Sequence, residues 1–382
     1  MKNRFFTPDQ ISVSQLGFGC MRLPVVQGDN AVIDEAAAGD LLRTAIAGGV
    51  NYIDTAYPYH GGNSEDFVGR FLQEEGLRED VYLATKCPVW LAEKPGDFHQ
   101  LLERQLKRLK TSWVDFYLLH ALDRHRWKKI QELGVFDDMA RAKEEGKIKY
   151  LGFSFHDDYD VFEEILNAHP WDFCQIQLNY MDIHHQAGLR GLELAHEKGI
   201  SVVIMEPVKG GKLAYPPVEI RELFGKYPQH SPATLALSWL WNRPEVSVVL
   251  SGMSNMSQVE DNLRAADYWE AGDHHRELAE TFREAKEIYD QRIRVGCTNC
   301  KYCLPCPQGV EIPEIFSQYN NLYVYEEKAN GLRYQRLSEE GHGQDQCIAC
   351  GACEGVCPQH LPIIDQLKNA HAALTAQTQE RI

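Results

Sequence analysis

Two sets of residues in this 382-residue chain have types and spacings suited to chemistry. The first set is thiol. CTNCKYCLPCP places Cys297, Cys300, Cys303 and Cys306 at intervals of three, and CIACGACEGVCP places Cys347, Cys350, Cys353 and Cys357 in the pattern C-x2-C-x2-C-x3-C-P. Three thiolates at that spacing wrap three irons of a cubane, so two such runs, each ending in Cys-Pro, point to two [4Fe-4S] clusters. Two tetrahedral zinc sites are the alternative; disulfides fit less well in a reducing compartment. The second set is acid–base. Asp54, Tyr59, Lys86 and His120 stand at, or just past, the ends of three successive apolar runs, NYIDTA, VYLATK and VDFYLLH. Singly they could be a turn cap, a rim aromatic, a solvated lysine and a core histidine. Together they make a coherent set. A tyrosine with an ordinary pKa of about 10 is a poor proton donor near neutrality unless its phenolate is stabilised. A nearby ammonium does that, a carboxylate holds the ammonium, and a neutral histidine orients a carbonyl oxygen. Such a set protonates an oxygen while a hydride reaches the carbon.

The elements that must position these residues alternate along the chain. Apolar or β-branched runs at 14–21, 51–56, 81–86, 114–120, 148–155, 173–180, 201–207 and 246–252 are separated by amphipathic stretches such as DFHQLLERQLKRLK. The runs are near-continuously hydrophobic, as parallel strands buried on both faces are. Eight βα units over about 280 residues predict an α/β fold, a (β/α)8 TIM barrel, whose chemistry sits at the C-terminal ends of its strands. A doubly wound sheet is the alternative, but LGFGCMRL lacks the third glycine of a GxGxxG fingerprint. Cys20, Cys87 and Cys174 are isolated and read as small core residues. A net charge of −16 argues against nucleic acid or anionic lipid as partner. The N-terminus lacks the pattern of a signal peptide, and no apolar run reaches membrane-spanning length, so a cytoplasmic location is expected.

DTAYPYHGGNSE, ATKC, DFYLLH and GFSFH resemble successive signatures of the aldo-keto reductase superfamily, over residues 13–270 or so. The resemblance implies that Asp54, Tyr59, Lys86 and His120 are the catalytic tetrad, with Tyr59 as general acid. It implies NADP(H) or NAD(H) lying across the barrel mouth, direct hydride transfer, and a small carbonyl or alcohol substrate. Met21, Arg22, Ser154, Gln175, Met205, Pro207, Lys209, Gly210, Gly211, Ser251, Gly252, Met253, Gln258 and Asn262 fall at the expected cofactor contacts. Ser154 and Gln175 match the carboxamide partners, but the family's asparagine after the serine is here Phe155, followed by His156. Met205 stands where an aromatic residue commonly covers the nicotinamide. Gly252 and Gln258 replace the basic pair that grips a 2′-phosphate, while Asn262, matching the adenine contact, is retained. NADH is therefore expected to serve at least as well as NADPH.

The barrel with its cysteine module is similar to the ferredoxin-linked aldo-keto reductases. In two-cluster ferredoxins the fourth cysteine of each run ligates the other cluster. Carried over, Cys297, Cys300, Cys303 and Cys357 hold one cluster, and Cys347, Cys350, Cys353 and Cys306 the other. The helical spacer suits a small, mainly α-helical ferredoxin-like domain at 291–382 after a barrel at 1–290. A hydride carries two electrons and a cluster one, and no flavin signature bridges them. The module then either folds and shapes the pocket, or serves as an electron port to a ferredoxin-like partner. The latter makes iron–sulfur electron transfer the alternative function.

Overall fold

The computed structural model describes residues 1–6 and 9–379. The chain divides into two compact units, Met1–Ala214 with Gln229–Arg276, and Tyr215–Pro228 with Glu277–Ile382.

In the first unit a short antiparallel hairpin, β1 (Asn3–Phe6) and β2 (Ile11–Ser14), precedes eight parallel strands. These are β3 (Leu16–Gly19), β4 (Tyr52–Asp54), β5 (Tyr82–Cys87), β6 (Val114–Leu122), β7 (Ile148–Phe155), β8 (Phe173–Gln177), β9 (Ser201–Met205) and β10 (Val246–Ser251). They pair in sequence order and β10 closes on β3, so the sheet is a barrel rather than an open doubly wound layer. Every apolar run expected to be a strand contributes one. The helices between them turn one greasy stripe inward. In Asp97–Arg108 the buried residues are Phe98, Leu101, Leu102, Gln105 and Leu106, the spacing of one helical face.

The hairpin was not foreseen, and its task is to fill the barrel from the end opposite the chemistry. Phe6 is fully buried, with its ring 4.8 Å from that of Phe116 and 5.7 Å from that of Phe173. Arg4 pins it by donating to the carbonyls of Arg243 at 2.5 Å and Val246 at 2.6 Å.

The second unit holds no strand among its described residues. The helices Ile312–Val324, Ala329–Glu339 and Ile363–Gln379 pack around Ile315, Phe316, Leu322, Tyr334, Leu367 and Leu374. Six of the eight clustered cysteines, Cys297, Cys303, Cys306, Cys347, Cys353 and Cys357, lie half-buried against that core. Among the described residues no helix is long and apolar enough to cross a membrane.

Candidate functional site

β4 ends on Asp54 and pairs in parallel with β5, which carries Lys86 one residue short of its end. The Lys86 ammonium lies 2.7 and 2.8 Å from the two Asp54 carboxylate oxygens, 3.0 Å from the Thr55 carbonyl and 3.0 Å from Tyr59 Oη. Lys86 is 1% exposed, so all its polarity is spent inside this set. Tyr59 rides a tight turn after β4 in which His60 and Gly61 adopt left-handed backbone. The turn is held by the buried His60, whose Nδ1 is 2.8 Å from the Asn30 carbonyl. His120 completes the group from β6. Its ring stands edge-on to Tyr59 at 6.4 Å and 5.3 Å from Trp90. The strand is irregular there: Ala121 has φ +54 and its amide donates to Ser154 Oγ at 2.7 Å. A local irregularity of this kind re-aims a side chain toward a site. Ser154 thus holds the segment that bears His120, a task its sequence position did not reveal.

Burial governs how these groups ionise. Burial works to lower the Lys86 pKa, yet Asp54 and Tyr59 outweigh it and hold the ammonium above its ordinary value. Burial also pushes Asp54 up against the pull of Lys86. Tyr59 departs from expectation. Desolvation raises it, and the lowering influence of Lys86 only partly offsets the rise, so the hydroxyl stays protonated rather than drifting toward phenolate. His120 is driven well below its ordinary value by burial, then by Lys86, His156 and Arg126, so the imidazole is neutral. A protonated phenol beside a fixed cation and a neutral imidazole can donate a proton to an oxygen held between them.

Beneath the site a second buried network fixes β5. Gln105 Nε2 donates to the Lys86 carbonyl at 3.0 Å and to Glu65 Oε1 at 2.5 Å, while Gln105 Oε1 accepts from Tyr117 Oη at 2.8 Å. Thr85 Oγ1 donates to the same Glu65 oxygen at 2.7 Å. Neither Glu65 nor Gln105 stood out in the sequence, because a polar residue inside a helical stripe reads as an interruption until its partners are known.

The expected cofactor residues form an arc along the strand ends from β7 round to β3. Ser154 and Gln175 are register partners on β7 and β8. Gln175 is 1% exposed, and its Oε1 is buried without a partner. Its Nε2 faces only the Met205 sulfur, at 3.5 Å. An orphaned buried carbonyl costs about 1–3 kcal/mol, and a carboxamide supplied by a ligand would satisfy it. After β9 the chain runs through buried Pro207 to Lys209, Gly210 and Gly211, all with left-handed backbone. A Cβ on Gly211 would meet nothing within 4 Å, so open space faces this turn. Lys209 is engaged by Asp182. Arg22, exposed beside exposed Met21 after β3, packs its stem over Gly252, where a Cβ would come within 2.9 Å of its Cγ. Its guanidinium reaches the Gly210 side, 3.7 Å from where a Cβ of that glycine would stand. Past β10, Met253 is buried and Asn262 donates to Ser251 Oγ at 2.9 Å. Gln258 turns back on its own loop, its Oε1 accepting from the Ser254 amide at 2.8 Å and the Ser254 hydroxyl at 3.2 Å. These residues fit a dinucleotide.

In the second unit the eight cysteines line two cavities. One is walled by Cys303, Cys306, Cys347, Cys350 and Cys353 with apolar Val310, Ile312 and Leu367. The other is walled by Cys297, Cys300, Cys303 and Cys357 with Ile312, Phe316 and Leu361. The two triplet loops share a backbone pattern. Asn299 and Lys301 flank Cys300 with φ +57 and +62, and Ala349 and Gly351 flank Cys350 with φ +53 and +75. Left-handed residues in such loops turn successive N–H groups toward a concavity that favours an anion, which a thiolate-ligated cubane is. The donor set and the cavities fit iron–sulfur clusters.

Comparison with known proteins gives a family match for each part of the chain. The model of the aldo/keto reductase family matches residues 15–274, and that of the 4Fe-4S dicluster domain matches residues 296–361. An L-galactose dehydrogenase of Arabidopsis thaliana is 29% identical over 279 residues, 67% of this chain and 85% of the relative. An NADH-specific methylglyoxal reductase of Escherichia coli is 26% identical over 308 residues, 67% of this chain and 90% of the relative. Among solved structures, the holo form of an aldo-keto reductase from Bacillus halodurans superposes with a TM-score of 0.61 at 25% identity, covering 74% of this chain and 96% of the other.

Proposed function

Because the chain belongs to the aldo/keto reductase family and is an NAD(P)-dependent oxidoreductase, we propose that it interconverts an aldehyde or ketone with the alcohol, using Tyr59 as proton donor. The observation that carries this is Lys86, buried and bonded at once to Asp54 and to Tyr59 Oη. When bound, reduced nicotinamide supplies a hydride to the carbonyl carbon. Tyr59 gives its proton to the carbonyl oxygen, and the Lys86 ammonium stabilises the charge left on the phenol oxygen. Neutral His120 donates a hydrogen bond that orients the same oxygen. Asp54 keeps Lys86 charged and in place. Ser154, Gln175 and Met205 would hold the nicotinamide end of the cofactor, and Arg22, Gly210 and Gly211 its phosphates. Gly252 and Gln258 offer no guanidinium to a 2′-phosphate, so NADH serves at least as well as NADPH. The relative named as NADH-specific supports this reading.

Cys297, Cys300, Cys303 and Cys357 would hold one [4Fe-4S] cluster, and Cys306, Cys347, Cys350 and Cys353 the other. Bound clusters supply one-electron redox capacity and the ligation that ties residues 297–357 into one folding unit. We favour the folding role. Electron exchange with a ferredoxin-like partner is the second reading, favoured by the exposure of Cys300 and Cys350. The deciding experiment is anaerobic: NADH or NADPH is mixed with purified protein, with and without a carbonyl, while cofactor and cluster absorbance are followed. Carbonyl-dependent oxidation that disappears in Tyr59→Phe, with clusters unbleached, is the expected result. Undiminished oxidation in that variant refutes the Tyr59 mechanism, and bleaching without carbonyl establishes the electron-transfer reading.

A further inference from the structure

Loops after β5, β6 and β7 bring Trp90, Arg126 and His156 close to His120 at the barrel mouth. Trp90, on the loop after β5, sits 5.3 Å from His120 by ring centroids. Arg126 places its guanidinium carbon 5.6 Å from the centroid of that same Trp90 ring, so the indole is flanked by both. Arg126 NH1 is fixed on the Ala121 carbonyl at 2.6 Å, next to His120 in the chain, which aims the head at this mouth rather than into bulk solvent. Lys129 donates to the Trp90 carbonyl at 3.0 Å and holds the loop in place. His156 enters from the end of β7, its amide bonded to the Leu122 carbonyl at 3.0 Å. Beside it the Gln186 amide approaches His156 Nδ1 at 3.4 Å and leaves its own Oε1 buried without a partner.

Two carboxylates lie near these groups, and each is held mainly by backbone amides. Asp123 caps the following helix through the Arg126 amide at 2.7 Å and comes only to 3.7 Å from Arg126 Nε. Asp157 accepts from the amides of Arg124 and Asp158, each at 2.8 Å. After burial, Arg126 is the next cause depressing His156, and it is the last of the causes lowering His120. An indole with a guanidinium over its ring, beside two imidazoles, suits a molecule that carries an anionic oxygen group.

We propose that the carbonyl substrate carries an anionic oxygen group remote from its reacting carbon, received by Arg126 with His156 and set against Trp90. This rests on the barrel mouth being the carbonyl site proposed above. Neutral aldehydes would then bind without the charge-assisted contact.

The test compares matched pairs of substrates: para-formylbenzoate with its methyl ester, and glyceraldehyde phosphate with glyceraldehyde. The charged member of at least one pair should be favoured about tenfold or more in kcat/KM, and the favoured pair tells carboxylate from phosphate. The ratio should collapse toward one in Arg126→Gln and be partly restored in Arg126→Lys, with circular dichroism confirming that both variants fold. A second readout needs no turnover. Calorimetry of the NADH-bound protein should show para-(hydroxymethyl)benzoate binding about tenfold tighter than its methyl ester. If no aldehyde is reduced but that binding difference is found, the reaction reading falls and the anion-binding role of Arg126 alone stands. Equal handling of charged and neutral members, or a ratio untouched by Arg126→Gln, overturns it.

Discussion

Tyr59 Oη lies 3.0 Å from Lys86 Nζ although the two residues are 27 positions apart and reach the barrel mouth from different strands. Lys86 in turn is held by Asp54 on both carboxylate oxygens. The tyrosine is therefore positioned by a buried ion pair, and the integrity of that pair should control both stability and rate.

Asp54→Asn leaves the Lys86 ammonium buried with only neutral partners. Breaking one side of such a pair costs about 3–5 kcal/mol, so denaturant unfolding should show a loss of that size. Carbonyl reduction should fall by about 10²- to 10⁴-fold. Replacing both partners by apolar residues, Asp54→Leu with Lys86→Met, should recover most of the stability and none of the activity. Unchanged stability in Asp54→Asn would show that the pair is not held as described.

Activity should vary little with pH across the neutral range. His120 is already neutral because burial and neighbouring cations depress it, and Tyr59 stays protonated because burial raises it. A profile of kcat/KM for reduction should be flat from about pH 6 to about pH 10, the ordinary phenol value, and fall only above that as the raised phenol ionises. Stability behaves differently. Burial is the first cause lowering His120, His156, His169, His230 and His274, the last to about 4. Below the ordinary histidine value of about 6.5 the unfolded chain binds more protons than the folded one, so stability is lost as pH falls. Raised Asp54 and Glu65 work in the opposite direction, while carboxylates held low by their partners, among them Glu145 beside Lys147 and Asp182 beside Lys209, add to the loss at acid pH. The unfolding midpoint should drop between about pH 6.5 and about pH 4, and a constant midpoint would contradict the burial of these imidazoles.

What the sequence disclosed follows from what periodicity can encode. A parallel barrel places every strand's C-terminal end at one mouth, so Asp54, Lys86 and His120 could be gathered without knowing a single contact. Thiol spacing is equally local, which is why Cys297 to Cys303 and Cys347 to Cys353 could be read as triplets. Residues whose meaning depends on long-range partners stayed hidden. Gln105 is informative only once Glu65, Tyr117 and the Lys86 carbonyl surround it. Trp90 and Arg126 lie in or beside connecting loops, where no repeat marks their direction. Phe6 sits in a strand of four residues, too short to show alternation. The direction of the Tyr59 shift is hidden for a related reason: the residue types suggest pairing with Lys86, whereas the depth of burial that outweighs it depends on the whole fold.

Cofactor choice can be tested at Gln258. It stands in the first turn of the helix Met256–Tyr268, capped by Asn255, and its carbonyl is occupied by Ser254. Gln258→Arg would release that loop bond and supply a guanidinium, which pairs with phosphate through two N–H groups. The ratio of kcat/KM for NADPH over NADH should rise by about tenfold or more, equivalent to about 1.4 kcal/mol. Gly252 offers no such route, since any side chain there meets the stem of Arg22. A ratio unmoved by Gln258→Arg would place the adenosine elsewhere.

The cysteine module makes a sharp forecast about Cys306. In sequence it belongs with Cys297, Cys300 and Cys303, yet it lines the cavity of Cys347, Cys350 and Cys353, while Cys357 lines the other. Cys306→Ala should therefore deprive the cluster held by the distant triplet of a ligand. Anaerobically purified protein should fall from about eight irons per chain toward about four. Electron paramagnetic resonance of the reduced variant should retain the signal of the cluster on Cys297, Cys300, Cys303 and Cys357. Pairing this variant with Cys350→Ala separates the possibilities. If both cysteines serve one cluster, the double variant loses no more iron than either single one. If Cys306 serves its sequence neighbours instead, the double variant loses both clusters. Because the two runs are then tied together twice, chelating the iron should unfold residues 297–357 as one cooperative step, seen as simultaneous loss of amide protection in both loops.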